Sequence, residues 1–411
     1  MVAPPWGAGG AGQGEASMRI GLLTYFWEDN PGQYFQCLAS VNALRQIFPE
    51  AGIEIPDVRH WTQPARATSR RDMLLRPWRN AARRRRRRKY DKARERFPVA
   101  GPTLVSTDPA ETIREIESRK YDLLVVGSDA VLFLVGARRV RDNLPPLYWL
   151  VDLPNVPRAM LGPSAHTLRY EKLNAAQREA MSRGVKGFSF LAVRDPLTRN
   201  LLETLGPPEG VPVRVVPDPT LSYTIDPSPA QAYWADKRIP RDKPICGIDL
   251  PWESSFKQRL VQLLRRDFHL VELGGHYREC HPLLDLGPFE WSGIFSHFDL
   301  HVTTGFHDSI FCLKQGTPVF AVEGSLARYD PKSGNSKIRF LYEDFGILEG
   351  HYCNPDRDAL TPEEFCRRIA EGWQRFDRQA ARDHASELGR RYLNTGMEMR
   401  RTIGASLGLG D

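Results

Sequence analysis

His307 is the residue best placed to do chemistry in this chain. It ends a Thr304-Gly305-Phe306 turn that follows one apolar run, and it opens a helical pattern leading to a second run, Pro318–Val322. In open α/β sheets, ligands bind at the carboxyl ends of strands, where helix N-termini point their N–H groups at anions. Histidine is the side chain that most readily gives or takes a proton near neutral pH. The same position also suits a helix cap or a satisfied polar pocket. Two other strand ends carry small polar residues of the kind that contact ligands, Gly127-Ser128-Asp129 and Leu161-Gly-Pro-Ser-Ala-His166. Asp129 equally suits a helix cap, and Asp218, ahead of Pro219, either braces a turn or acts as a base.

The elements that must hold these residues repeat one strand–turn–helix unit. Arg19–Thr24 is a short strand, and Phe35, Leu38, Val41, Leu44 and Ile47 recur at the three-residue steps of a helix. Ile53–Val58 is a second strand, Pro109–Ser118 a helix, and Tyr121–Val126 a strand ending at Gly127. Phe190–Asp195, a helix through Leu202, and a strand at Val213 to Val216 complete the first half. The Pro-containing stretch Asp226–Pro244 then reads as a linker. The second half repeats the pattern, with strands predicted at Ile245–Leu250, Phe268–Leu273, Leu300–Thr304 and Pro318–Val322. Its helices are expected at Ser254–Arg266, Trp291–Phe298, His307–Gln315 and Ser336–Phe345, with two charged helices between Pro362 and Thr402.

This order predicts an α/β protein of two Rossmann-like domains, 18–225 and 245–375, with a C-terminal helix over 376–406. A GT-B-like arrangement, with the site in the cleft between the halves, follows. No GxGxxG follows the first strand and no GxxxxGK[ST] occurs, which argues against a nicotinamide cofactor or nucleoside triphosphate hydrolysis.

Composition agrees with two domains. The 411 residues exceed the roughly 250–300 at which one core stops growing, and 41% hydrophobic residues can fill two. No stretch approaches the roughly 18–20 apolar residues of a membrane span. The Gly/Ala/Pro-rich residues 1–17 lack the pattern of a signal peptide and read as a disordered extension, with Met18 as an alternative initiator. Six scattered cysteines without a CxxC pair fit a reducing cytoplasm, and Cys246 and Cys312 read as buried small hydrophobes. His276, Glu279, Cys280 and His281 share a loop, but their spacing matches no metal motif.

The net charge of +7 is concentrated in the segment 70–97, where the six arginines Arg83 to Arg88 precede Lys89. The run reads as a solvated, partly helical insertion. The functional alternative is contact with an anionic polymer or with lipid at the inner face of the plasma membrane. Without interleaved aromatics for base stacking, it speaks against nucleic acid.

An ordered series of segments resembles the motifs of the polysaccharide pyruvyl transferase family. The opening strand with Asn30 and the helix after it, Gly127-Ser128-Asp129, Val193-Arg194-Asp195, Asp218-Pro219-Thr220, Thr304-Gly305-Phe306-His307, Gly316-Thr317-Pro318 and Ser336-Lys337-Ile338-Arg339 are each similar to a family motif in its expected order. The resemblance implies transfer of a pyruvyl group from phosphoenolpyruvate, a donor substrate and not a cofactor. The acceptor would be a hydroxyl of a cell-surface polysaccharide or its lipid-linked precursor. It implies an acid/base role for His307. The family arginine two residues earlier maps to Gly305, and the basic residue of the Val-Arg motif maps to Arg194.

Phosphoenolpyruvate carries roughly three negative charges and needs cationic donors and helix N-termini. Arg194, Lys337 and Arg339 could supply the cations, and His166 a second acid/base or a phosphate contact. Arg194 could instead pair with Asp195, and His166 could be a surface turn residue. No metal is expected. Two other readings keep the architecture. One is a GT-B glycosyltransferase whose nucleotide-sugar ribose is held by Glu323. The other is a diverged, non-catalytic member that binds an anionic glycan or lipid precursor.

Overall fold

The computed structural model describes residues 18–59, 77–106, 108–133, 147–153, 156–166, 168–251, 254–274, 277, 279–323 and 336–408. The N-terminal extension, the first part of the basic segment, and Gly275 and His276 lie outside the described residues.

Two parallel sheets organise the chain. The first contains β1 (Met18–Leu23), β2 (Ala51–Arg59), β3 (Val99–Val105), β4 (Leu123–Val126), β5 (Arg158–Leu161), β6 (Phe190–Val193) and β7 (Val213–Val215) in the order β3-β2-β1-β4-β5-β6-β7. The second contains β8 (Ile245–Asp249), β9 (His269–Glu272), β10 (His281–Pro282), β11 (Leu300–Thr303), β12 (Val319–Val322) and β13 (Tyr352–Cys353) in the order β10-β9-β8-β11-β12-β13. Both orders reverse beside the first strand, so each half has a topological switch point, β1/β4 in one and β8/β11 in the other. β4, β6, β11 and β12 are buried at every residue, as strands covered on both faces must be.

The helix Pro31–Ile47 is buried nearly all round. Asn30 caps it, accepting from the amides of Gly32 at 2.9 Å and Gln33 at 3.4 Å, and Pro31 sits at its first position, where no N–H is needed. A helix apolar on every side needs cover on every side. Here the second half of the chain supplies part of it. Phe35 stacks on Trp291 with ring centroids 6.2 Å apart and touches Phe311 at 5.1 Å, and Tyr34 meets Phe289 at 5.7 Å. The two halves therefore share a hydrophobic core beneath the cleft.

The helix Arg378–Gly404 ties them further. Near its start, Arg378 donates to the carbonyls of Asp299 and Gly316; near its end, Arg400 donates to the carbonyl of Ile47 and to Glu50. Gly396 lets it lie on Ile47, since a Cβ there would come within 2.2 Å of the isoleucine Cδ1.

Several segments differ from the sequence-based expectation, among them the short edge strands β10 and β13. The supposed linker Asp226–Pro244 holds the helix Ser228–Ala235, which buries Ala230, Tyr233 and Trp234. β3 is an edge strand whose mixed Gly/Pro sequence gives no strand periodicity. The basic segment forms the helix Pro77–Arg94, and it is not simply solvated: Ala82, Tyr90 and Ala93 are buried. Among the described residues, no helix is long and apolar enough to cross a membrane.

Candidate active site

The two switch points meet through His307. Gly305 stands at the N-terminal cap of the helix Phe306–Gln315, so His307 lies in its first turn and projects into the other half of the chain. The imidazole lies directly on Gly32, where an added Cβ would be 2.0 Å from Nδ1. Its Nε2 is buried, has no hydrogen-bond partner, and faces Asp218 Oδ2 at 3.8 Å, a charge contact too long for a hydrogen bond.

Asp218 organises the site. It caps the turn Pro219–Ser222 by accepting from the amide and hydroxyl of Thr220, and Gln36 donates to Oδ2 at 2.7 Å. Arg194 also donates to Oδ2, at 2.9 Å, from a side chain only 4% exposed. Burial alone would raise the Asp218 pKa. The His307 ring, the Arg194 guanidinium and the Thr220 hydroxyl outweigh burial and hold the carboxyl well below the usual aspartate range. Arg194 thus pairs with Asp218. Asp195 instead caps the helix Pro196–Leu205 through the Thr198 amide. Arg194 lies over the Phe306 ring at 5.4 Å, and its buried Nε has no partner.

Beside this pair opens a cavity of about 240 Å³ lined by Arg194, Asp218, Phe306, Lys337, Phe340 and Arg391, among others. Lys337 has no hydrogen-bond or ion-pair partner among the described residues. Burial, then the nearby Arg194 charge, lowers its pKa to about 8, against the opposite pull of Asp129, Asp195 and Asp218. Two cations near one cavity, with most of the neighbouring carboxylates already committed, form a receptor for an anion. Arg391, from the C-terminal helix, adds a third cation to the lining.

The remaining predicted residues fall in different places. Asp129 follows β4 with φ +87°, an unusual backbone for a non-glycine residue, and accepts from Gln33 at 3.4 Å. It caps no helix. Ser128 is fully buried; its carbonyl accepts the Thr24 hydroxyl and its own Oγ has no partner. Gly127 is pressed on Leu22, which an added Cβ would meet at 2.7 Å. The amides of Gly32 and Gln33 are taken by Asn30, so Asn30 shapes the helix N-terminus beneath His307.

Thr304 donates from its amide and hydroxyl to the carbonyl of Asp249, fixing the end of β11 beside β8. Gly305 lies 2.8 Å, measured from a built Cβ, from the carboxyl carbon of Asp308. Asp308 is itself held by Thr303 at 2.8 Å and His301 at 3.2 Å. Burial and Asp308 push Asp249 well above the carboxylate range; Asp308 stays low despite burial because His301 and Thr303 favour its charge.

His307 contacts Asp218 from outside the cavity, and neither it nor His166 nor Arg339 is among the residues that line it. His166 has φ +57° and its ring packs 5.5 Å from Phe133. Arg339 pairs with Glu343 one turn along its own helix, at 2.8 Å. Glu323 is 3% exposed and accepts the Tyr352 hydroxyl. Burial raises its pKa. Gln36 and Arg391 were not singled out from the sequence. Gln36, a polar residue within a helix buried nearly all round, was the available signal for the first.

This architecture is a two-domain α/β fold of GT-B type. Among solved structures it is similar to HepE of Anabaena in complex with UDP and glucose, at 12% identity and TM-score 0.52 over 95% of this chain and 100% of that one. It is likewise similar to a sucrose-phosphate synthase of Thermosynechococcus elongatus, at 12% identity and TM-score 0.53 over 94% and 100%. At such identities the likeness establishes the fold. Among curated proteins, none matches the sequence significantly. The family model for polysaccharide pyruvyl transferase matches residues 30–325, most of the chain, and the protein belongs to that family.

Proposed function

We propose that the cleft transfers a pyruvyl group from phosphoenolpyruvate to hydroxyls of a sugar in a cell-surface polysaccharide or its lipid-linked precursor, with His307 as the acid/base. Most support comes from the Asp218–His307 contact beside Arg194, and from Lys337, which has no partner among the described residues. A carboxylate held in its charged form orients an imidazole and stabilises it when it gains a proton. Here Nε2 faces Asp218 and Nδ1 packs on Gly32, which fixes the ring next to the Arg194–Asp218 pair.

The reaction begins when an acid protonates the methylene carbon of the enol, leaving the adjacent carbon electrophilic. A sugar hydroxyl adds there, forming a C–O bond and giving its proton to a base. Cleavage of the bond to the phosphate oxygen then releases phosphate. If a second hydroxyl adds to the same carbon, the product is a cyclic ketal. Arg194 and Lys337 hold the donor's carboxylate and phosphate, and Arg391 stands at the same cavity.

A nucleotide-sugar donor calls for a carboxylate offered to a ribose. Glu323 is buried against Tyr352 and does not present one. Thermal shift with each donor tests the choice. Stabilisation by phosphoenolpyruvate, reduced in Arg194→Ala and Lys337→Ala, supports the proposal. Stabilisation by UDP but not by phosphoenolpyruvate would overturn it.

A further inference from the structure

The helix Pro77–Arg94 has two faces with different partners. Its inner face clamps the two halves of the chain: Arg85 pairs with Asp285 at 3.0 Å and Lys89 with Glu290 at 2.8 Å, while Tyr90 is fully buried. Arg86 donates to the carbonyl of Asp29, one residue before the Asn30 cap beneath His307. This face places the helix beside the active cleft.

The outer face carries Arg83, Arg84, Arg87 and Arg88, all exposed. Among the described residues, none of these four has a hydrogen-bond or ion-pair partner. Like charges at i,i+4, as in Arg83/Arg87 and Arg84/Arg88, work against a helix. Among the described residues, the acidic groups that pair with this helix are taken by other cations: Asp285 by Arg85, Glu290 by Lys89, and Asp29 and Asp91 by Arg94. At the start of the same helix, Trp78 is 52% exposed, with the Arg79 guanidinium over its ring at 5.1 Å.

We infer that this face docks on an anionic lipid surface and holds the cleft against it. The charge complements a negative membrane, to which each arginine near the surface adds attraction. Trp78 lies seven residues before Arg85 and so on the stripe of the inner face, which leaves the attraction to the arginines alone. The arginines stand on the outside of one helix, where a flat surface meets them together. No aromatic is interleaved among them to stack on bases. Docking would bring a lipid-linked acceptor to the cleft from the membrane side.

The test is co-sedimentation of the full chain with vesicles of phosphatidylcholine alone or mixed with phosphatidylglycerol, without donor, so that its outcome is separate from that of any transfer assay. The expected result is binding to the mixed vesicles only, weakening as salt shortens the screening length. Replacing all four arginines (Arg83→Glu, Arg84→Glu, Arg87→Glu, Arg88→Glu) should lower partitioning about 10²-fold or more, with circular dichroism and phosphoenolpyruvate stabilisation unchanged. Trp78→Ser, on the stripe of Arg85 and away from the four arginines, should leave binding unchanged. Equal binding to both vesicle types, wild-type binding by the fourfold variant, or binding to RNA or an acidic polysaccharide without vesicle binding would each overturn the inference.

Discussion

The imidazole of His307 rests on the α-carbon of Gly32, so closely that a single methyl group would strike Nδ1 at 2.0 Å. Gly32 belongs to the first helix of one half and His307 to the second half, so this contact registers the two switch points against each other. In a helix, Gly→Ala normally stabilises by up to about 1 kcal/mol. Here Gly32→Ala should fold well yet displace the ring from Asp218, lowering kcat about 10²-fold, as expected for a misplacement near 1 Å. Full activity in that variant would separate Gly32 from the mechanism.

Asp218→Asn tests the carboxylate behind His307. It leaves the buried Arg194 without its counter-charge, a loss of roughly 3–5 kcal/mol that urea unfolding would measure. The pH dependence has a fixed sign. The folded carboxyl lies below its ordinary value. Its contribution is therefore complete above about pH 5 and is lost as pH falls below the unfolded value near 3.9. The variant should lack that acid-labile component of stability.

Lys337 predicts an alkaline limit. Its pKa of about 8 means that the ammonium is lost as pH rises through that value. kcat/KM for phosphoenolpyruvate should fall above pH 8, and Lys337→Arg, charged throughout, should flatten that limb. A limb unchanged in Lys337→Arg would assign it to another group.

The motif resemblance sets the family arginine at Gly305, where a side chain would meet Asp308. A side chain at 305 would push Asp308 off Thr303 and His301. Gly305→Arg should therefore lower the melting temperature, at a cost of about 1–3 kcal/mol, without tightening donor binding. Tighter binding in a stable variant would show that Lys337 and Arg391 do not fill that role.

Much of this site was legible because its strands are short apolar runs that stop abruptly in Gly, Ser, Thr and Asp, as at Gly127-Ser128-Asp129 and Thr304-Gly305. What was not legible is pairing across distance. Gln36 and Asp218 lie 182 residues apart, and Arg194 and Asp218 lie 24 apart, so only the folded sheet edges bring them together. The sequence offered Asp195 or another surface residue as the alternative partner for Arg194, but Asp195, starting a helix, caps it instead. His166 shows the converse. It follows a strand as His307 precedes a helix, yet its positive-φ turn carries the ring to Phe133. The helix Ser228–Ala235 was hidden by flanking prolines, and β3 by its exposed, irregular edge.

The most direct test is phosphate release from phosphoenolpyruvate over a panel of glycoside acceptors, for the wild type and for His307→Ala. The account predicts acceptor-dependent release by the wild type and a loss of about 10²–10⁴-fold in the variant, with donor stabilisation retained. Release at the wild-type rate by His307→Ala would contradict it.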